Sequence, residues 1–149
     1  MPSFEKITFK GNVGRTGWQV FGFCTNLKSI VFEKGLEVIG WGCFEGCISL
    51  ESIALPEGLT GIDGDAFKGC ASLKNVNIPS TLSSINSNAF SGTSLECISI
   101  PATVTTIKNY AFSGINDLEI YCAVSKKPSG WEDKWCFTVI SEVEKEHTV

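Results

Sequence analysis

Apolar and polar positions along the chain repeat with a period of about 23 residues. One aromatic column marks the period most plainly: Phe21, Phe44, Phe67, Phe90 and Phe112. Two other apolar columns keep the same spacing: Ile30, Ile53, Val76 and Ile98, and Leu36, Leu59, Leu82 and Val104. Self-similarity at a fixed period of this length is typical of a tandem array in which each unit is one supersecondary structure. The pattern therefore predicts a repeat protein.

The first half of each unit predicts a strand. In Ile53-Ala54-Leu55 two large apolar residues flank a small one, as in a strand that is buried on one face. In three units a proline follows the last apolar residue and ends the strand, since proline cannot donate to a ladder: Pro56, Pro79 and Pro101. Six strands are predicted, centred near residues 6–8, 29–31, 52–54, 75–77, 97–99 and 117–120.

The second half of each unit predicts a short helical turn. A small residue precedes the phenylalanine, as in Ala66-Phe67, and a glycine such as Gly69 follows it and releases the turn. One coil cannot bury its own apolar face, whereas stacked coils share a continuous core. We therefore predict an α/β solenoid, a right-handed superhelix of about six coils. A parallel sheet would form its concave face and short helical turns its convex side, with the phenylalanines in one buried stack.

The two ends of the array differ. Residues 1–121 are predicted to form the solenoid, and residues 122–149 a C-terminal capping segment and a charged tail. Terminal repeats need a cover, which five apolar residues would supply here: Trp131, Trp135, Phe137, Val139 and Ile140. Only three residues precede Phe4, so the first strand would keep an unpaired edge. This predicts a homodimer through the N-terminal coil, or else a missing N-terminal segment in the natural protein.

Three stretches of the sequence carry a family resemblance. The unit Ile78-Pro79-(x2)-Leu82-(x2)-Ile85-(x3)-Ala89-Phe90, with Phe67-(x2)-Cys70-(x2)-Leu73-(x2)-Val76, resembles the BspA-like leucine-rich repeat family. Residues 127–135, which hold the pair Trp131-(x3)-Trp135, resemble the segment that closes such arrays in bacterial members. The resemblance implies a solenoid that binds other molecules and belongs to a secreted or cell-surface protein.

The leading functional hypothesis is a non-enzymatic leucine-rich-repeat module that binds protein or glycan, with adhesion or host-cell attachment as its setting. The alternative is a purely structural fragment of a longer array with no ligand of its own. The candidate binding surface consists of the outward strand positions: Ser29, Val31, Ser52, Ala54, Asn75, Asn77, Cys97, Ser99, Asp117 and Glu119. These residues are small and uncharged until the acidic C-terminal end, and they include no aromatic or arginine anchor. We expect a weak or avid binder.

An aromatic patch is the second candidate surface. Trp18 and Trp41 lie one period apart, in the turn before the phenylalanine. Exposed indoles in neighbouring coils would form a platform for a sugar or a protein. Packing of bulky residues over the N-terminal coils is the competing interpretation.

One column of charges alternates in sign: Glu5, Lys28, Glu51, Lys74 and Glu96. Neighbours in this column should lie one strand spacing apart, which predicts an exposed ion ladder that helps to set the stacking register. Each exposed pair would contribute only about 0–1 kcal/mol.

Three of the seven cysteines share one phase, so Cys24, Cys47 and Cys70 should stack as a buried row of inert thiols. A straight row does not provide the tetrahedron that zinc prefers, so we expect no metal site and no cofactor. Cys97 should be the most exposed thiol. Cys122 and Cys136 flank the C-terminal segment and would be placed to pair there. The unpaired thiols favour a reducing compartment.

Composition removes several functional classes. Twelve Lys and Arg against sixteen Asp and Glu give a net charge of −4, which argues against nucleic acid as a partner. The N-terminal residues lack the layout of a secretory signal, and no apolar run is long enough to insert into a membrane. His147, the single histidine, lies in the charged tail, where it is a poor general base. We therefore expect no catalytic site.

Overall fold

A computed structural model describes residues 4–136 of the chain as a solenoid of about five turns built from parallel strands. The strands are β1 (Lys6–Arg15), β2 (Ser29–Ile39), β3 (Ser52–Ala54), β4 (Gly61–Ile62), β5 (Asn75–Asn77), β6 (Ser84–Ile85), β7 (Cys97–Ile100), β8 (Thr106–Ile107) and β9 (Glu119–Cys122). All the strand pairs are parallel, as expected when each turn stacks on the next.

The strands fall on two sides of the solenoid and in three sheets, β1-β2-β4-β6-β8, β3-β5 and β7-β9, so the predicted single sheet is divided. β3, β5, β7 and β9 come from the first half of their units, whereas β4, β6 and β8 come from the second half. β1 and β2 are long enough to run through both halves, and β2 contacts β3 before it pairs with β4. We call the outward side of β3, β5, β7, β9 and the first residues of β1 and β2 the strand face.

Five of the six predicted strands lie where the pattern placed them, and the last prediction was wrong by two residues. β9 begins at Glu119, and Cys97 pairs with Glu119 instead of Asp117. Asp117 has a φ of 55°, which is incompatible with an extended strand. The strand can therefore begin only after this residue.

The predicted helical turns are also wrong, because the described residues contain no helix. Two columns of left-handed residues interrupt each turn side instead. The first is Gln19, Gly42, Asp65, Asn88 and Tyr110, and the second is Phe23, Gly46, Gly69, Gly92 and Gly114. Only three residues separate the two columns, too few for consecutive right-handed α geometry. Successive tight turns therefore replace the helix, such as the one in which Cys70 N–H donates to the Phe67 carbonyl at 3.1 Å.

The predicted phenylalanine stack is confirmed. From Phe21 to Phe112, neighbouring ring centroids lie 5.3–5.7 Å apart with interplanar angles of 4–14°. Phe21, at the N-terminal end, is half-buried, and the other four rings are buried. The backbone beside the rings is also hydrogen-bonded between turns, because Phe67 N–H donates to the Ala89 carbonyl at 2.8 Å.

Two tryptophans extend the core at the C-terminal end, as predicted. Trp131 forms a parallel bridge with Ile107 and its Nε1 donates to the Val104 carbonyl at 3.0 Å. The ring of Trp135 meets Phe112 edge-on at 6.0 Å. The other predicted covering residues, Phe137, Val139 and Ile140, lie outside the described residues, as do the charged tail and His147. At the opposite end Phe4 is 40% exposed, and β1 forms the edge of its sheet.

Candidate functional site

The strand face presents two columns of outward side chains. Parallel register sets Ser52 beside Asn75 and Ala54 beside Asn77 on neighbouring strands. Nearly all the predicted surface residues are exposed, and only Ser29 is half-buried. Their small size leaves the centre of the face shallow, so it can accept a backbone or a flat ligand and offers no deep pocket for a large side chain.

The side chain of one of these residues, Asn77, forms hydrogen bonds within the fold. The side-chain amide of Asn77 accepts a hydrogen bond from Leu55 N–H at 3.1 Å and donates to the Leu55 carbonyl at 3.3 Å. Asn77 thereby joins two neighbouring turns where the short strands end. Its amide holds the register of the face, and its remaining exposed edge is what a ligand would meet.

The corrected register changes the C-terminal end of the face. Asp117 lies in the turn before β9 and is not part of a column, whereas Tyr121 takes the outward position beside Ser99. Tyr121 is 39% exposed, and its hydroxyl donates to Glu119 at 2.8 Å. That hydrogen bond raises the pKa of Tyr121 above its ordinary value. Sequence reasoning missed this aromatic, although the alternation of Glu119-Ile120-Tyr121 indicates it.

The predicted ion ladder is reduced to one pair. Within residues 4–136, only Lys28 and Glu5 of that column come within salt-bridge distance, at 3.4 Å. Both side chains are more than 60% exposed, so solvent screens the pair. The register of the strands therefore rests on backbone bonds and core packing.

The two indoles of the aromatic patch are exposed. Trp18 is 77% exposed and Trp41 41%, with ring centroids 6.4 Å apart and ring planes inclined by 59°. The indole of Trp41 lies against the backbone of Gly64 in the next turn, where a Cβ would meet it at 3.1 Å. Further exposed apolar side chains on the same N-terminal turns are Val20, Phe23 and Ile48.

The cysteine row is buried as predicted. The thiol of Cys47 donates to the Phe21 carbonyl at 3.2 Å, and that of Cys70 to the Phe44 carbonyl at 3.1 Å. Burial raises the pKa of Cys47 to about 12 and that of Cys70 further. In the next turn Thr93 occupies this phase, and its hydroxyl donates to the Phe90 carbonyl at 2.9 Å. At this position Cys47, Cys70 and Thr93 therefore all donate a hydrogen bond to a phenylalanine carbonyl of the core.

The remaining thiols are not joined in the structure. Cys97 is exposed on the strand face beside Glu119, whereas reactive cysteines usually lie beside cations. Cys122 and Cys136 form no disulfide and are half-buried, and burial raises the pKa of Cys122 to about 11. Among residues 4–136, no cluster of three or more metal-ligating side chains occurs. The same residues include no helix long and apolar enough to cross a membrane.

Parallel ladders that repeat every 22 or 23 residues, with one stacked phenylalanine per turn, define a leucine-rich-repeat solenoid. Such repeat folds are typically non-enzymatic. The chain belongs to the BspA-type leucine-rich repeat family, whose model matches six copies over residues 1–119.

Solved structures of bacterial leucine-rich-repeat proteins show the same fold. A leucine-rich repeat protein from Bacteroides ovatus is 32% identical, with a TM-score of 0.79 over 87% of this chain and 34% of its own. The Treponema pallidum protein TpLRR is 27% identical, with a TM-score of 0.75 over 78% of this chain and 58% of its own. The pneumococcal vaccine antigen PcpA is 29% identical, with a TM-score of 0.72 over 79% and 30%. This chain thus spans about a third of the Bacteroides protein. No curated protein matches it.

Proposed function

We propose that the chain is a non-enzymatic protein-binding module, which holds an extended segment of its partner across the strand face. The observation that supports this most directly is the corrected outward column, in which small residues are bounded by Val31 on β2 and Tyr121 on β9. Concave or flat faces of repeat solenoids commonly serve extended partners.

The dimensions of the face suit a partner that lies across the strands. Four strand spacings of about 4.8 Å separate Val31 from Tyr121, which is about 19 Å. Between them Ala54 and Ser99 project little, so a backbone can approach the sheet closely. Val31 is 40% exposed and offers an apolar contact at one end, while the ring of Tyr121 offers a larger one at the other.

Charge gives the face a direction. Lys6 lies at its N-terminal end, where Lys28 is paired with Glu5, whereas Glu96 and Glu119 lie at its C-terminal end. A partner segment with an acidic residue near Val31 and a basic residue near Tyr121 would complement both ends. The exposed charges would speed the encounter and set the orientation more than they would add affinity.

The expected affinity is modest, since Tyr121 is the face's one aromatic anchor among the described residues. Several weak contacts repeated along one partner, or several copies of the module, would supply avidity. Attachment to a neighbouring or host cell is the setting that such a module fits. The description of a relative as a vaccine antigen supports that setting.

Panning a phage-displayed library of random linear peptides on the folded protein tests the proposal. We expect enriched peptides whose affinity falls about tenfold with Tyr121→Ala, the loss of a moderate hot spot. Ala54→Arg should also abolish binding, because a long charged side chain would fill the shallow space between Val31 and Tyr121. Tyr110→Ala is the matched control, since Tyr110 is also 39% exposed but lies on the turn side.

Two results would count against a protein-binding face. The first is that no peptide is enriched over a scrambled pool, which favours the purely structural interpretation of this chain. The second is that the enriched peptides bind equally well to Tyr121→Ala and Ala54→Arg, which would place the peptide site elsewhere.

A further inference from the structure

We propose that Trp18 and Trp41 form a carbohydrate-binding platform, separate from the strand face, that takes a pyranose-containing glycan. Burying an indole is normally favourable, yet Trp18 is 77% exposed. Its ring is also paired with that of Trp41 at 6.4 Å. We call these two rings the indole platform.

The backbone beneath the platform is rigid. The hydroxyl of Thr16, which is buried, accepts a hydrogen bond from Gly40 N–H at 2.7 Å. Three residues after Thr16, Gln19 N–H donates to the carbonyl of Trp41 at 2.9 Å. These bonds fix the turns that carry the two indoles, so the platform needs little rearrangement before a ligand binds.

Gly64 leaves the space that the indole of Trp41 occupies. Gly64 follows Trp18 and Trp41 in the same column, and a side chain there would press on the indole of Trp41 at 3.1–3.2 Å. The absence of a side chain leaves room for the Cδ1–Nε1 edge of the ring beside the next turn. The exposed part of the Trp41 indole is then available to a ligand.

Hydrogen-bonding side chains border the platform on two sides. On one side the guanidinium of Arg15 pairs with the carboxylate of Asp63, the residue before Gly64. On the other side the amide of Gln19 donates to Glu45 at 3.2 Å, and Glu45 lies 3.8 Å from the ammonium group of Lys68. Planar amide, carboxylate and guanidinium groups therefore flank an aromatic floor.

This combination matches the chemistry of a sugar ring better than that of an apolar peptide. A pyranose has a face of C–H groups that can lie on an aromatic ring, and a rim of hydroxyls that both donate and accept. Here the rings stand on an open shelf with polar neighbours on both sides, which suits a ligand that stays partly hydrated.

Collisional quenching of tryptophan fluorescence by iodide provides the assay. The protein has four tryptophans, and Trp131 and Trp135 are only 3% and 2% exposed. The quenchable signal therefore comes from the platform. The probes are soluble hexasaccharides of β-1,4-linked glucose and of β-1,4-linked N-acetylglucosamine, together with an array of defined oligosaccharides.

We expect at least one of these saccharides to protect the fluorescence from iodide in a saturable way. Trp18→Ala should weaken its binding at least tenfold, and Trp18→Phe should restore part of the binding because it keeps an aromatic face. Phe23→Ala is the matched control, since Phe23 is another exposed aromatic, 49% exposed, that lies off the platform against Gly46. Tyr121→Ala should bind the saccharide like the unmodified protein, which separates this site from the peptide face.

The proposal is overturned if no saccharide on the array binds, or if binding survives Trp18→Ala. It is also overturned if Phe23→Ala reduces binding as much as Trp18→Ala, because the effect would then belong to exposed apolar surface in general. Loss of peptide binding in Trp18→Ala, without any saccharide binding, would identify the platform as a protein contact.

Discussion

At the scale of single residues, the ring of Phe67 shows how a repeat stabilises its neighbours. It is fully buried and stacks on Phe44 at 5.5 Å and on Phe90 at 5.3 Å. Phe21, in contrast, is half-buried and stacks on one column neighbour, Phe44, at 5.7 Å. The same residue type thus occupies a different environment at the end of the column.

We expect Phe67→Ala to lower the free energy of unfolding by about 3–5 kcal/mol, since it removes a buried ring and leaves a cavity between two others. Phe21→Ala should cost less, because solvent already reaches that ring. Urea unfolding followed by circular dichroism measures both changes. Equal losses in the two variants would show that the stack is not the main source of stability.

The buried thiols predict a loss of stability in alkali. Burial raises the pKa of Cys43 to about 11 and that of Cys47 to about 12 in the folded chain, while the unfolded chain releases these protons near pH 9. The contribution is therefore complete below about pH 8.5 and disappears as the pH rises towards the folded values. Urea midpoints measured at rising pH should fall above about pH 9, and less steeply in Cys47→Ala. A slope unchanged by that substitution would argue against this origin.

At the scale of elements, the left-handed columns decide the form of the turn side. Gly69 has a φ of 70°, and a Cβ there would find no atom closer than 3.9 Å. The strain of a substitution would therefore come from the backbone alone. Gly61, on β4, lacks a positive φ, and a Cβ there would make an ordinary contact of 3.4 Å with Ser84.

We expect Gly69→Ala to cost about 1–2 kcal/mol, the penalty for an L-residue in left-handed geometry. Gly61→Ala should be neutral or slightly stabilising, because alanine restricts the unfolded chain without straining the folded one. Thermal melting of the two variants provides the comparison. A helical turn at Gly69 would reverse the order, since alanine favours helices.

The strands and the turns differ in how well the sequence predicts them. Apolar spacing predicted five strands and the phenylalanine stack, because the positions of apolar side chains show directly which residues of a strand are buried. It did not predict the absence of helices, since Asp65 and Asn88 can adopt right-handed or left-handed geometry and only the turn selects between them. The last strand was placed two residues early because the apolar spacing there allowed two registers, and Tyr121 was therefore missed.

At the scale of the whole molecule, β1 is an edge strand that carries Lys6, Lys10 and Arg15. We expect the chain to self-associate through this edge as a closed dimer, with Phe4 and Ile7 at the contact. A two-fold pairing of the two edges would bring like charges together. Association should therefore strengthen with added salt, which screens them. Light scattering over a concentration series measures it, with Ile7→Lys as the non-associating control. A strict monomer at high concentration and high salt would disprove the contact.

Hydrogen bonds between turns run along the strand face and also beside the phenylalanine column, where Phe44 N–H donates to the Ala66 carbonyl at 2.9 Å. Adjacent turns are therefore held at nearly the same rise on opposite sides of the molecule. Repeat arrays that place helices opposite their strands have a wider outer side, and the difference in rise bends them into an arc. Here that difference is largely absent. An array extended with more units of this kind should grow as a nearly straight rod. Each added turn would then place a partner bound at the far end further from the first turn.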